Sequence, residues 1–361
     1  MVGVSDPRRG VPLLLEWFAR EGRDLPWRRT YRPYEVLLSE ILLQQTRMEA
    51  AVPYFLRFLE RFPTLEALAG APEEEVLALW TGLGYYRRAR SLREAAARLI
   101  ALGYREPPED EGVLRSLPGL GSYTVGAVRS IAYNLPAPAV DGNVVRVLAR
   151  WFDLPGTFQG KGRKELEALA LSLIPPGRAR DCNQALMELG ALVCVPSSPR
   201  CPVCPLVSCC LARWRGTEAL RPEKVSRGAS VQALGVAGLV RHRGKLLLRR
   251  RPPRGLWAGF WEFPWRLLEE GEDPGAALGR ELAPLLGEVE IPPPCCEVRH
   301  AFLRTRVRLL GFLLDLPEGW EPTPGQGTWW TLEEAAGLPA SAGCRKLLER
   351  LRREDGESPR C

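Results

Sequence analysis

Two carboxylates and a run of cysteines are the residues whose surroundings point to chemistry. Glu40 lies in a stretch where its neighbours at i−4, i−3 and i+3 are Val36, Leu37 and Leu43, and only Gln44 at i+4 is polar. A carboxyl on such a face loses its water, which raises its pKa and suits it to general-acid work. The competing reading is a glutamate that reaches solvent or pairs with an arginine. Asp141, in Val140-Asp141-Gly142-Asn143, precedes a helical segment and reads first as a helix N-cap. A capping aspartate that keeps its charge can also stabilise a positive sugar. A neutral acid beside a charged carboxylate is the logic of glycosidic-bond cleavage.

Ten cysteines in a long chain without an export signal suggest metal binding or burial rather than disulfides. Five of them, Cys194, Cys201, Cys204, Cys209 and Cys210, fall in one short stretch. Cys194, Cys201, Cys204 and Cys210 give the spacing C-x6-C-x2-C-x5-C, which suits a tetrahedral zinc or a cubane iron–sulfur cluster. Spacing alone leaves both open, and Cys209 is a second candidate for the fourth ligand.

A third signal is Leu117-Pro118-Gly119-Leu120-Gly121, between two helical segments. Gly119 and Gly121 permit tight turns, and the free amides of a helix opening at Ser122 can bind a phosphate without reading sequence. A plain connector is the alternative; the flanking Leu-Pro and the basic chain favour a helix-hairpin-helix anchor. Gly82-Leu83-Gly84-Tyr85-Tyr86-Arg87-Arg88 brings aromatics and arginines together at another helix start. Its tyrosines suit base stacking or core packing equally.

The elements that must position these residues fall into two classes. Apolar residues recur at three- and four-residue spacing from 13 to 212, with helices expected over 34–46, 73–81, 88–102, 123–133, 143–151, 164–174 and 182–193. Residues 216–230 are polar and without period, and read as a linker. Strand patterns follow at 231–240 and 245–249 around a turn at His242-Arg243-Gly244, and again over 301–316. Helices are expected over 333–336 and 344–353, with a frayed end at 354–361. The expected organisation is a mainly α domain over 1–215, the linker, and an α+β domain over 231–355. A net charge of +7 favours a polyanionic partner. No run approaches a membrane span, so no membrane association is expected. Residues 1–12 lack a signal-peptide core, so a cytoplasmic location is expected, on the nucleoid when DNA is bound.

Together these motifs resemble the adenine DNA glycosylases of the MutY type. The resemblance rests on Leu25-Pro26-Trp27, Ser39-Glu40-Ile41-Leu42-Leu43-Gln44-Gln45-Thr46, Trp80-Thr81-Gly82-Leu83-Gly84-Tyr85-Tyr86, the hairpin with Tyr123-Thr124, Val140-Asp141-Gly142-Asn143 and the four cysteines, all in order over residues 10–212. It implies a helix-hairpin-helix glycosylase fold and a monomer acting on double-stranded DNA that carries adenine opposite 8-oxoguanine or guanine. Glu40 would protonate the leaving adenine and then help activate water, and Asp141 would stabilise the oxocarbenium-like sugar. Tyr123 and Asn143 would support Asp141 and the sugar, while Arg23, Trp27, Arg28 and Gln184 would line the pocket for the everted base. Leu43, Gln45, Thr46 and Tyr85 would wedge into the duplex. The cofactor would be a [4Fe-4S] cluster on Cys194, Cys201, Cys204 and Cys210. The related endonuclease III type carries a lysine where this chain has Tyr123. A lysine amine forms a Schiff base with the sugar and a tyrosine cannot, so base removal without strand cleavage is expected.

The C-terminal domain resembles the Nudix-like domain that these enzymes share with 8-oxo-dGTP hydrolases, through the segment from Arg251 to Pro264. A working Nudix box clusters carboxylates around magnesium. Glu272, Arg280, Glu281 and Gly287 fit the box, but Pro284 and Leu285 stand where a Glu-Glu pair should follow, and Arg266 where the box should open with glycine. The resemblance therefore implies a fold kept for lesion recognition, without pyrophosphatase activity. Arginines 241, 243, 249, 250, 251 and 254 are candidates to face phosphates. In the loop that reads 8-oxoguanine the family often has Phe-Ser-His; here Phe302 fits, but Leu303 lacks the hydroxyl and Arg304 replaces the histidine.

Overall fold

The computed structural model describes residues 6–223, 230–252, 255–321, 325 and 327–356. The chain divides into two compact units, Met1–Ser226 and Arg227–Cys361. Among the described residues no helix is long and apolar enough to cross a membrane.

The first unit is helical: α1 (Gly10–Glu21), α2 (Trp27–Thr30), α3 (Pro33–Leu43), α4 (Met48–Arg61), α5 (Leu65–Gly70), α6 (Glu73–Trp80), α7 (Arg87–Ala101), α8 (Glu111–Ser116), α9 (Ser122–Ala127), α10 (Gly142–Trp151), α11 (Lys161–Ser172), α12 (Ala179–Leu192) and α13 (Leu211–Arg215). Its central rod is α3. Pro33 opens it at a position where a missing N–H costs nothing. Every residue from Tyr34 to Leu42 is buried, the polar Glu35, Ser39 and Glu40 included. Gln44 then turns extended and Gln45 takes φ 58°, so the helix ends at Leu43, short of the expected 46.

The hairpin before α9 turns at Gly119, whose φ of 80° suits glycine. A side chain there would also strike Ser91. The expected single helix over 123–133 is instead α9 continued by one wide π turn, Val128–Ala132. Gly126 lies so close to the Pro138 carbonyl that a Cβ would fall 2.0 Å from its oxygen. Asn183 of α12 pins the same segment, accepting from Ala139 N–H at 2.8 Å and donating to the Ala137 carbonyl at 2.9 Å. These contacts fix the approach to Asp141, the N-cap of α10.

Residues 216–223 depart from a free linker. Asp153, buried in the first unit, accepts from Arg215 and Thr217 and forms an ion pair with Arg221, and Glu223 donates its N–H to the Gly156 carbonyl. Residues 224–229 lie outside those described, as do the expected arginine at 254 and much of the expected frayed end.

The second unit is a mixed sheet of β1 (Val231–His242), β2 (Lys245–Arg250), β3 (Trp261–Glu262), β4 (Trp265–Leu267), β5 (Cys296–Phe302), β6 (Thr305–Asp315) and β7 (Thr328–Trp330), with α14 (Pro274–Leu286), α15 (Leu332–Gly337) and α16 (Ala342–Gly356). The main strand order is β3-β2-β1-β6-β5, with β1 and β6 parallel from Val231↔Thr305 to Arg241↔Asp315. Alternation decides the faces. Val236 and Val240 pack with Ala277, Leu278 and Leu282 of α14, while Ala237 and Leu239 pack with Leu347, Leu348 and Leu351 of α16. Covered on both faces, β1 is apolar without a break over 235–240. His242 closes this strand as a buried residue between Trp320 and Trp329, so the turn is Arg243-Gly244 alone.

Candidate active site

A cavity of about 830 Å³ opens among α2, α3, α9, α10 and α12. Glu40, Tyr123, Asp141 and Asn143 line it, together with Arg23, Trp27, Arg28, Gln184, Leu43, Gln45 and Thr46. Four arginines, Arg23, Arg28, Arg47 and Arg163, stand in its wall, and no lysine does among the described residues.

Glu40 is buried on α3. Burial pushes its carboxyl up to about 7, with the charge of Asp141 adding to the rise; the Tyr123 hydroxyl and the Arg28 charge oppose it. The Tyr123 O–H donates to Glu40 Oε2 at 2.5 Å. That phenol is itself held far from ionising, chiefly by burial and by the two nearby carboxylates. Asp141 receives the Val144 N–H at 2.7 Å on Oδ1 and Asn143 Nδ2 at 2.8 Å on Oδ2. Arg146 fixes Asn143 in turn, donating to its Oδ1 at 2.8 Å and to the Cys194 carbonyl at 2.7 Å.

Sequence reasoning passed over Glu188, one turn beyond Gln184 on α12. It is buried, and accepts from Arg23 N–H, Nε and Nη2 and from Arg28 Nη2, at 2.7–3.0 Å. Burial disfavours its charge, yet these bonds outweigh burial and hold the carboxyl down at about 2. The pair Arg23 and Arg28 is thus set by a carboxylate more than 150 residues away. A polar residue four after Gln184 on an apolar helix was the available signal. Among the described residues Gln184 makes long contacts, to Tyr31 at 3.5 Å and the Arg180 carbonyl at 3.4 Å. Trp27 is buried edge-on against Phe55.

Tyr85 lies outside the cavity wall and is exposed, whereas Tyr86 is buried, so the two readings of that motif divide between neighbours. At the hairpin turn the Ser122 hydroxyl donates to Glu167. Cys194, Cys201, Cys204 and Cys210 line one small cavity with Arg150 and Arg213. Cys209 packs in the core near Gly10 and Leu206, away from that lining. Burial raises the thiols of Cys201, Cys204 and Cys210, so their thiolates would need cationic partners. Among the described residues no three His, Cys, Asp or Glu side chains are grouped to hold a metal ion. The four cysteines line one cavity, a donor set that fits a metal ion or an iron–sulfur cluster.

In the second unit, Phe302 packs against Trp257 at 5.0 Å and stacks on His300. Leu303, at φ 51° on the tip of the β5–β6 hairpin, is 88% exposed, and the Arg304 carbonyl accepts from Val231. The Nudix-box carboxylates are occupied: Glu272 by Arg266 and Arg280, and Glu281 by Arg249. Arg241, Arg243 and Arg251 pair with Asp315, Glu321 and Glu262. Most of the arginines expected to face phosphates are therefore already engaged.

Comparison with known proteins bears directly on this site. An adenine DNA glycosylase of Rattus norvegicus is 35% identical over 398 aligned residues, spanning 93% of this chain and 76% of the relative. This chain belongs to the adenine DNA glycosylase family. The human adenine DNA glycosylase is 34% identical, over 93% of this chain and 72% of its own length. Residues 38–176 match the HhH-GPD superfamily of base excision DNA repair proteins, and residues 235–350 match the NUDIX domain. Among solved structures, a thermostable thymine-DNA glycosylase is 31% identical with a TM-score of 0.53, covering 58% of this chain and 97% of its own. An endonuclease III solved in a non-covalent complex with DNA is 27% identical with a TM-score of 0.51, covering 60% and 99%. As an adenine DNA glycosylase the chain is a hydrolase of N-glycosidic bonds that binds DNA and removes adenine in base excision repair.

Proposed function

We propose that the enzyme removes adenine placed opposite 8-oxoguanine or guanine, and does so without cutting the strand. Glu40 supports this most directly: a buried carboxyl raised to about 7, hydrogen-bonded to Tyr123, in the same cavity wall as Asp141. Its protonated form gives a proton to a ring nitrogen of the everted adenine. The C1′–N9 bond then breaks, and its electron pair leaves with the base. Asp141, steadied by Val144 and Asn143, faces the positive sugar. Water adds at C1′ and returns a proton to the Glu40 carboxylate.

Arg23, Trp27, Arg28 and Gln184 bound the base, and Leu43, Gln45, Thr46 and Tyr85 form the edge that enters the duplex. Gly119, Gly121 and Ser122 offer backbone amides to phosphate. A cavity that among the described residues is lined by arginines and no lysine supports hydrolysis over lyase chemistry, because its wall offers no amine to trap the sugar. The four cysteines would hold a [4Fe-4S] cluster, which when bound ties residues 194–210 into one loop. Phe302, Leu303 and Arg304 form the tip that meets the opposite base.

Single-turnover release of adenine opposite 8-oxoguanine, guanine and cytosine tests the reading. Glu40→Gln is expected to lower release by at least about a hundredfold while duplex binding is retained. Near-normal release by this variant removes the acid assignment. Efficient borohydride trapping of a DNA adduct by the unmodified enzyme removes the assignment as a pure hydrolase.

A further inference from the structure

Arg88 lies at the start of α7, beyond the cavity wall and away from the reacting groups. Its Nη1 donates to the carbonyls of Ile41 at 3.0 Å and Leu42 at 3.1 Å, and to the Gln44 carbonyl. These belong to the end of α3, where helical carbonyls lack partners and the helix dipole favours a cation. Both terminal nitrogens reach Thr46 Oγ1 at 3.3 Å. On the other side Nη2 approaches the Leu83 and Gly84 carbonyls at 3.4 Å. Trp80 donates from Nε1 to the same Gly84 carbonyl at 2.9 Å. The guanidinium lies over the Trp80 ring at 5.1 Å and the Tyr85 ring at 5.7 Å. Among the described residues no ion pair to a carboxylate involves it.

The two segments it joins are strained. Gln45 takes φ 58° and Tyr85 φ 48°, in the left-handed region that side chains avoid. Such residues persist only where their surroundings over-determine them. Both are exposed, and Tyr85 is 63% so. A planar fork with several donors can satisfy both loops at once, which a point-like ammonium cannot.

We propose that Arg88 is a positioning residue, a cationic clasp that fastens residues 44–46 to residues 82–85 as one rigid edge for prising adenine from its partner. The clasp rests on the proposed role of Gln45, Thr46 and Tyr85 at the duplex. It acts on base eversion and leaves proton transfer at Glu40 alone.

The test compares release of adenine opposite guanine with release of adenine opposite an abasic-site analogue, where no partner base must be displaced. In the full-length enzyme, Arg88→Lys is expected to slow release from the A·G duplex about tenfold or more, while the abasic duplex changes by less than about threefold. The alkaline limb of the pH profile stays where it is, and 2-aminopurine in place of adenine reports less eversion by fluorescence. Equal losses on both duplexes, a displaced pH limb or no loss overturns the clasp. Should Arg88→Lys fail to fold, Thr46→Val carries the same comparison, with a smaller loss confined to the A·G duplex. Tyr85→Ala separates the two ideas. If it slows only the A·G duplex while Arg88→Lys slows neither, the clasp falls and the edge stands; if Tyr85→Ala and Gln45→Ala slow neither, the edge falls and takes the clasp with it.

Discussion

Burial moves the Glu40 carboxyl up to about 7 against the pull of Tyr123 and Arg28, so near neutrality it titrates in the range where it works. Its protonated form is the acid. Release is therefore expected to fall as pH rises through about 7, by roughly tenfold per unit well above it. Tyr123 opposes the rise by donating to the carboxylate. Tyr123→Phe should move the alkaline limb to higher pH in single-turnover profiles; a limb displaced downward would contradict this balance. The apolar side of the Glu40 environment was legible because Val36, Leu37 and Leu43 lie three and four residues away on its own helix, whereas Tyr123, Asp141 and Arg28 come from other elements. The Arg23–Glu188–Arg28 cluster was not, because its partners meet only when α12 packs beside residues 23–28. The motif from Gly82 to Arg88 stood out in the sequence, but the acceptors of Arg88 did not: they are backbone carbonyls, which every sequence has.

Helices were legible at their middles and less so at their ends. The pattern in 34–46 is helical throughout, yet α3 stops at Leu43, where the chain turns and Arg88 takes over its last carbonyls. The π turn after α9 is a change of hydrogen-bond register, which apolar spacing alone did not reveal. Close packing of elements was equally hidden. Gly190 of α12 faces the first turn of α10 so tightly that a Cβ would sit 2.6 Å from the Asn143 Cβ and 3.1 Å from its backbone. Gly190→Ala must push Asn143, and with it the support of Asp141, off position. The expected result is a loss of turnover of about tenfold to a hundredfold, with the circular dichroism of the native helices kept and Km little altered. Unchanged turnover would mean that α10 can shift without moving its cap.

At the scale of the whole molecule, the two units keep different parts of their ancestry. The first retains a wall of groups suited to reaction. The second keeps the Nudix fold but engages its remaining carboxylates, Glu272 and Glu281, with Arg266, Arg280 and Arg249. Among the described residues no set of carboxylates is grouped there to hold magnesium. Incubation of the full-length enzyme with 8-oxo-dGTP and magnesium is expected to release no pyrophosphate above background; metal-dependent release would refute this. The arginine-lined cavity has a wider counterpart. Of the 50 basic side chains only 5 are lysines, at positions 161, 164, 224, 245 and 346. Excising a base leaves a sugar whose opened form is an aldehyde, and aldehydes condense with amines. Guanidinium groups grip phosphate through fixed forks and stay charged. A chain whose basic side chains are almost all arginine offers few amines to which such an opened sugar could become bonded.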